Sequence, residues 1–301
     1  MTQEPVGYKR LREAALAAAD QLGIYHALRE RTPQGELARR LGIDATMLGR
    51  LLDVLAWSGA VVRDRDELRV TEAPTQHARG AHAIALVLRR GRPIDATDPF
   101  SLQVEMRYLV ENQLVHEGPD TIREVATWIA ARLDGGTLLD AGGGHGAYAL
   151  AVRDLAPRTR AIVIDRAPIV EMAKHVLGPR AAELEFRAGD LAECDLGSGY
   201  QVALLNHVLH TCSRSSAERI IERVAAALAP GGILVVKEVA VGPDHATGVL
   251  LAFAMSLIAA DLMMETADAL RARLARAGLD AIGVEALATA PDAVMIHGTR
   301  P

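Results

Sequence analysis

The sequence predicts an α/β fold: a doubly wound parallel sheet preceded by a smaller helical module. Three observations carry that expectation. From residue 136 onward, short apolar runs alternate with stretches of helical spacing. Those runs are apolar throughout rather than at every second residue, the mark of strands covered on both faces. The earlier part of the chain has helical spacing instead, and 301 residues suit two domains at about 150 residues each.

The elements follow in order. Leu11, Ala15, Leu16, Ala19 and Leu22 share a helical face that Gly23 ends. A short helix ends at Gly42, and Asp44 caps a second, Ala45 to Ser58, with Leu48, Leu51, Leu52 and Leu55 on one side. Two extended runs, 60–63 and 67–70, flank the turn Asp64-Arg65-Asp66. Helix, turn, helix and hairpin together predict a winged helix over residues 1–100. Its second helix carries Met47, Leu48, Leu51, Leu52, Val54, Leu55 and Trp57, with Arg50 as its one basic residue. A DNA-reading helix presents polar and basic groups, so the module is expected to serve packing and homodimer formation, with no nucleic-acid partner. Residues 101–133 read as a helical connector broken at Gly118-Pro119. Residues 134–301 form the sheet domain, with strands near 137–140, 161–165, 184–188, 202–205 and 233–236. Helices are expected at 147–155, 168–177 and 215–228, and a closing hairpin at 281–287 and 293–299.

Composition narrows the function. Lys plus Arg number 33 against 38 Asp plus Glu, a formal charge of -5, which argues against phosphate neutralisation as the main task. Two cysteines, Cys194 and Cys212, make no disulfide framework and suit a reduced cytoplasm. The start of the chain lacks an apolar leader, and the longest apolar run, 249–260, is shorter than the ~18 residues of a membrane span. A cytoplasmic protein without membrane attachment is expected. Aromatic residues are scarce, with three Phe, two Trp and five Tyr, so the core is aliphatic and a planar ligand would find few ring partners.

The chemistry centres on Leu138-Leu139-Asp140-Ala141-Gly142-Gly143-Gly144-His145-Gly146-Ala147. A strand ends, glycines allow a tight turn and a close ligand, and a helix begins. No Gly-Lys-Ser/Thr follows, and the spacing fits the dinucleotide pattern poorly. Asp165 ends the next strand, where a carboxylate can accept from ribose hydroxyls. Gly189-Asp190-Leu191 follows the third strand, where an acid could meet an adenine amino group. Acids at successive strand ends form a nucleoside-shaped constellation. His210 lies just past a strand end, where ligands gather in α/β sheets. A base there could take a hydroxyl proton, with no metal required. His207 is expected to be structural, and a Cys212-His210 nucleophile has no other support.

Asp140-Ala-Gly-Gly-Gly-His-Gly146, Asp165, Gly189-Asp190 and Leu228-Ala-Pro-Gly-Gly232 together resemble the motif series of class I S-adenosylmethionine-dependent methyltransferases. With the helical start, the chain is similar to the small-molecule O-methyltransferases that dimerise through a winged helix, the caffeate-type enzymes and their bacterial natural-product relatives. The resemblance implies a Rossmann-like catalytic domain with S-adenosylmethionine as cofactor. It implies that Asp140, Gly142, Gly144, Gly146, Asp165, Asp190, Leu191 and Asn206 bind the cofactor. His210 matches the general base and Glu238 the acid that orients it. The substrate wall would include Phe100, Met106, Phe253, Met255 and Met264. The chain departs from the pattern at Thr211-Cys212, where Asp-Trp is usual. It departs again at Met264, where a second orienting acid is expected and Glu265 is one residue off. Three rival readings stay open: C- or N-methylation, a non-methylating enzyme of the same fold, and a winged-helix regulator that senses the cofactor.

Overall fold

A computed structural model of the chain describes residues 6–28, 32–64, 67–71, 84–85, 88–89, 118–133, 135–241, 248–253 and 265–301. They divide into two compact units. The first takes Met1–Leu102 with Val241–Leu262, and the second takes Gln103–Ala240 with Met263–Pro301.

The first unit contains α1 (Val6–Gln21), α2 (Ile24–Ala27), α3 (Gln34–Leu41) and α4 (Ala45–Trp57). Its strands β1 (Thr32–Pro33), β2 (Val61–Asp64) and β3 (Glu67–Val70) form an antiparallel sheet ordered β1-β3-β2. Gly42 closes α3 at φ 63°, and the Asp44 carboxylate accepts from the Thr46 and Met47 N–H groups at 2.9 Å each. Met47, Leu48, Leu51, Leu52, Val54 and Leu55 of α4 are buried with Leu37, Val61 and Leu68. The apolar face of α4 is thus spent on its own unit's core. Val249, Leu250 and Phe253, from a helical stretch at 248–253, join that core. The boundary expected at residue 134 did not anticipate this return: an apolar helical segment far along the chain completes the N-terminal core.

The second unit is a seven-stranded Rossmann-like sheet in the order β6-β5-β4-β7-β8-β10-β9. Its strands are β4 (Thr137–Ala141), β5 (Arg160–Asp165), β6 (Glu185–Ala188), β7 (Tyr200–Asn206), β8 (Leu228–Val239), β9 (Asp280–Ala286) and β10 (Ala293–Thr299). The first five in spatial order are parallel. β10 runs antiparallel to both β8 and β9. The helices are α5 (Pro119–Ala130), α6 (Ala147–Leu155), α7 (Ala167–Leu177), α8 (Arg214–Ala227) and α9 (Ala267–Arg276). Aliphatic layers cover both faces of the sheet, as the unbroken apolar strands require. β4 pairs with β5 on one side and with β7 on the other. The direction of winding reverses there, and such a switch point opens a crevice at the C-terminal strand ends. Among the described residues, no helix is long and apolar enough to cross a membrane.

The Asp44 cap satisfies two N–H groups at the start of α4. Asp44→Ala is expected to lower stability by about 1 kcal/mol, and Asp44→Asn by less. The denaturation midpoints of the three proteins test this; equal midpoints would show that the cap contributes nothing.

Candidate active site

The sheet brings Asp140, Asp165, Asp190 and Asn206 to the C-terminal ends of β4, β5, β6 and β7 or just beyond them. Between β4 and α6 the glycine loop turns sharply. Gly142 has φ 73°, and a Cβ there would stand 2.6 Å from Val208 Cγ2. Gly144 has φ 52° with nothing within 4 Å of a built Cβ. The loop is therefore crowded on its inner side and open at Gly144. Gly146 caps α6 at φ 72°. His145 lines the turn, its Nδ1 accepting from the Ala147 N–H at 3.0 Å.

Asp165 fastens this loop: its carboxylate accepts from the Gly144 N–H at 2.9 Å and from the Arg166 N–H at 2.7 Å. Burial raises its pKa, although both N–H groups and the Arg166 charge oppose the rise. The Gly189 N–H donates to the Asp165 carbonyl at 2.9 Å, which ties the third strand end to the second. Asp190 is exposed and accepts from the Ala192 N–H at 2.8 Å. Leu191 beside it is buried.

Three buried oxygen atoms here are poorly satisfied. Both Asp140 carboxylate oxygens and Asn206 Oδ1 lack a closely aligned hydrogen-bond partner, and the Ala149 N–H acts on Asp140 only weakly. Such groups are costly, and unpaired ones point to a missing ligand or to water. Burial first, and then the nearby Asp165 charge, push Asp140 up to about 7 against the smaller pull of the Ala149 N–H.

The second cluster lies beside β7 and β8. Glu238, near the end of β8, is buried, and its two oxygens have different tasks. Oε1 accepts from the Leu209 N–H at 2.8 Å, and Oε2 sits 2.6 Å from His210 Nδ1. Burial acts to raise the Glu238 pKa. The His210 charge and hydrogen bond, His207 and the Leu209 N–H together outweigh it, and the net direction is down. His210 stands in a single 3-10 turn, Leu209–Thr211, after β7. Thr211, where the family usually has Asp, donates its hydroxyl to the Val208 carbonyl at 2.7 Å. The Cys212 thiol points to the same carbonyl at 3.4 Å. Burial raises the Cys212 pKa, away from the thiolate that a nucleophile requires.

His207 belongs to this cluster too. Its Nδ1 is 3.9 Å from Glu238 Oε2, and Lys237 Nζ donates to its Nε2 at 2.8 Å. Ligand-capable atoms of His207, His210 and Glu238 lie within 4.8 Å of one another. Sequence reasoning left Lys237 without a role and took His207 as structural. The available signal was a Lys-Glu pair interrupting the apolar run of β8.

Glu265 is committed elsewhere. It accepts from the Arg273 guanidinium and from Arg214 Nη1 at 2.7 Å. It is held by two arginines and does not supply the missing orienting acid. Phe253, expected on the substrate wall, has no accessible surface and packs in the core of the first unit. Phe100, Met106, Met255 and Met264 lie outside the described residues.

The sequence model of the O-methyltransferase domain family matches residues 114–278, more than half of the chain. The chain belongs to the O-methyltransferase family. It is 34% identical over 141 residues to the mitomycin biosynthesis 6-O-methyltransferase of Streptomyces lavendulae. That match covers 41% of this chain and only 40% of the relative. It is 29% identical over 267 residues to the 3-amino-4-hydroxybenzoate 4-O-methyltransferase of Streptomyces cremeus, covering 77% of this chain and 71% of that one. The same fold occurs in an O-methyltransferase family 2 protein from Planctomyces limnophilus, solved in complex with apigenin. The TM-score is 0.75 at 21% identity, over 98% of this chain and 94% of that one. S-adenosylmethionine is the methyl donor of O-methyltransferases of this kind. The poorly satisfied Asp140 and Asn206 oxygens and the open face at Gly144 fit such a polar, cationic group.

Asp140 makes a pH-dependent contribution. Its folded pKa lies above its usual value of 3.8, so the folded protein holds this proton more tightly than the unfolded chain. The contribution is complete below the usual carboxylate range and is lost as pH rises through about 7. Asp140→Asn removes that loss. Its melting temperature is expected to exceed that of the natural protein by a few degrees at about pH 8, and the gap to close near pH 4. A gap independent of pH would contradict this account of the Asp140 environment.

Proposed function

We propose that this O-methyltransferase moves the methyl group of S-adenosylmethionine to a hydroxyl group of a small organic molecule, with His210 as general base. The carrying observation is the Glu238 carboxylate, which faces His210 Nδ1 at 2.6 Å and is fixed by the Leu209 N–H. With Nδ1–H donating to Glu238, Nε2 is the nitrogen left to accept a proton. The sulfonium cofactor supplies an electrophilic methyl group. The protein must supply an oxygen nucleophile, held in line and relieved of its proton. His210 takes that proton, and the buried Glu238 carboxylate stabilises the imidazolium that results.

Asp165, Asp190, Leu191, Asn206 and the loop from Asp140 to Gly146 would hold the cofactor. Asp165, which fixes the loop through Gly144, would accept from the ribose hydroxyls, and Asp190 with Leu191 would frame the adenine. The name of the Streptomyces cremeus relative favours oxygen as the acceptor atom. The few aromatic residues argue that the substrate is gripped mostly by aliphatic and Met side chains, drawn from Met106, Met255 and Met264 beside Phe100. The N-terminal unit, with its helix-helix-hairpin order, would pair two copies of the chain in a homodimer.

His210→Ala is expected to lower turnover by about 100- to 10,000-fold and to leave cofactor affinity unchanged. Transfer of labelled methyl from S-adenosylmethionine to hydroxylated acceptors reads the first quantity, and titration calorimetry the second. Turnover equal to that of the natural enzyme would remove His210 as the base.

A further inference from the structure

Two groups beside the base, buried Lys237 and half-buried His207, have no part in the reaction as derived above. Lys237 has no accessible surface. It donates to His207 Nε2 at 2.8 Å, and His207 Nδ1 lies 3.9 Å from Glu238 Oε2. That oxygen also holds His210 Nδ1. The two imidazoles stand edge to face with centroids 5.6 Å apart. The His207 backbone lies in the left-handed region at φ 55°, and its N–H donates to the Lys237 carbonyl at 2.9 Å. A non-glycine residue persists there when its surroundings over-determine it. Here both the backbone and the ring of His207 are tied to residue 237.

We propose that Lys237 is a positioning residue for methyl transfer, acting through His207 to hold the Glu238–His210 pair in one tautomeric state. The proposal rests on the reading of His210 as base. It follows from counting protons. An ammonium offers only donors, so the ring nitrogen facing it must accept. Neutral His207 then carries its hydrogen on Nδ1, the nitrogen nearest Glu238. His207 therefore turns a dipole, not a second cation, toward Oε2. The carboxylate charge stays available for His210 when that ring gains the substrate proton. Without Lys237, His207 can take a proton of its own and compete for the same oxygen.

The test uses the full chain with 15N-labelled histidine. Nitrogen NMR of the natural protein, without substrate, is expected to show both His207 and His210 protonated on Nδ1. In Lys237→Met the His207 tautomer is expected to change. In the same variant kcat falls by up to about 100-fold while KM for S-adenosylmethionine stays within about twofold. His207→Phe gives a second, independent loss of kcat, and the double variant is no slower than the slower single one, because both act through one contact. A His207 proton on Nε2 in the natural protein overturns the proposal. So does a Lys237→Met effect that persists undiminished in the His207→Phe background. A divalent metal bound one per chain by His207, His210 and Glu238 overturns it as well. The nitrogen shifts need no turnover. A natural protein that methylates no hydroxyl would therefore defeat the proposed function and leave the Lys237–His207 link to be judged on the spectra alone.

Discussion

The buried Glu238 carboxylate is the constraint on which this architecture depends. A charge removed from water is tolerated only when paired and hydrogen-bonded. Glu238 meets that demand with one backbone N–H and one imidazole, both from the turn after β7. The turn can supply them because β7 and β8 are parallel neighbours, with Asn206 opposite Lys237. The 3-10 turn then starts at the point where Leu209 and His210 reach back over the end of β8. Strand register, turn geometry and acid–base chemistry are thus one feature viewed at three scales. A shift of one residue in β8 would send Glu238 to the other face of the sheet and leave the carboxylate unpaired.

At the ends of β4 and β7 the balance is reversed. Asp140 and Asn206 have oxygens buried without closely aligned partners, and the Asp140 carboxyl is pushed up to about 7 by burial and by Asp165. Local rules broken in this way concentrate at functional sites, where a ligand restores what the protein lacks. One half of the crevice is self-satisfied and organised for proton transfer. The other half is under-satisfied and shaped for a cofactor.

The fold was largely legible because its signals are periodic. Unbroken apolar runs marked β4, β5, β7 and β8, and the order of acids at their ends placed Asp140, Asp165 and Asp190 on one rim. Gly42 and Asp44 marked a helix boundary through their own backbone chemistry. What stayed hidden depends on contacts between distant residues. Nothing in the spacing of Val249, Leu250 and Phe253 tells that they complete a core begun near Ala14. Glu265 sits one residue from an expected functional position, yet two arginines claim it. Lys237 and His207 are 30 positions apart, and only the pairing of β7 with β8 brings them together.

Glu238 fixes the His210 tautomer, and Glu238→Gln tests this most directly. The amide is nearly isosteric, and the Leu209 N–H requires its oxygen. Its NH2 group must then face His210 Nδ1, which turns that nitrogen into an acceptor and moves the ring proton to Nε2. The Glu238→Gln protein is expected to fold and to keep its affinity for S-adenosylmethionine. Its kcat for methyl transfer is expected to be lower by about 10,000-fold, as when an Asp that fixes a catalytic His tautomer is replaced by Asn in a Ser-His-Asp triad. A Glu238→Gln enzyme that turns over within a few-fold of the natural one would contradict this role of Glu238.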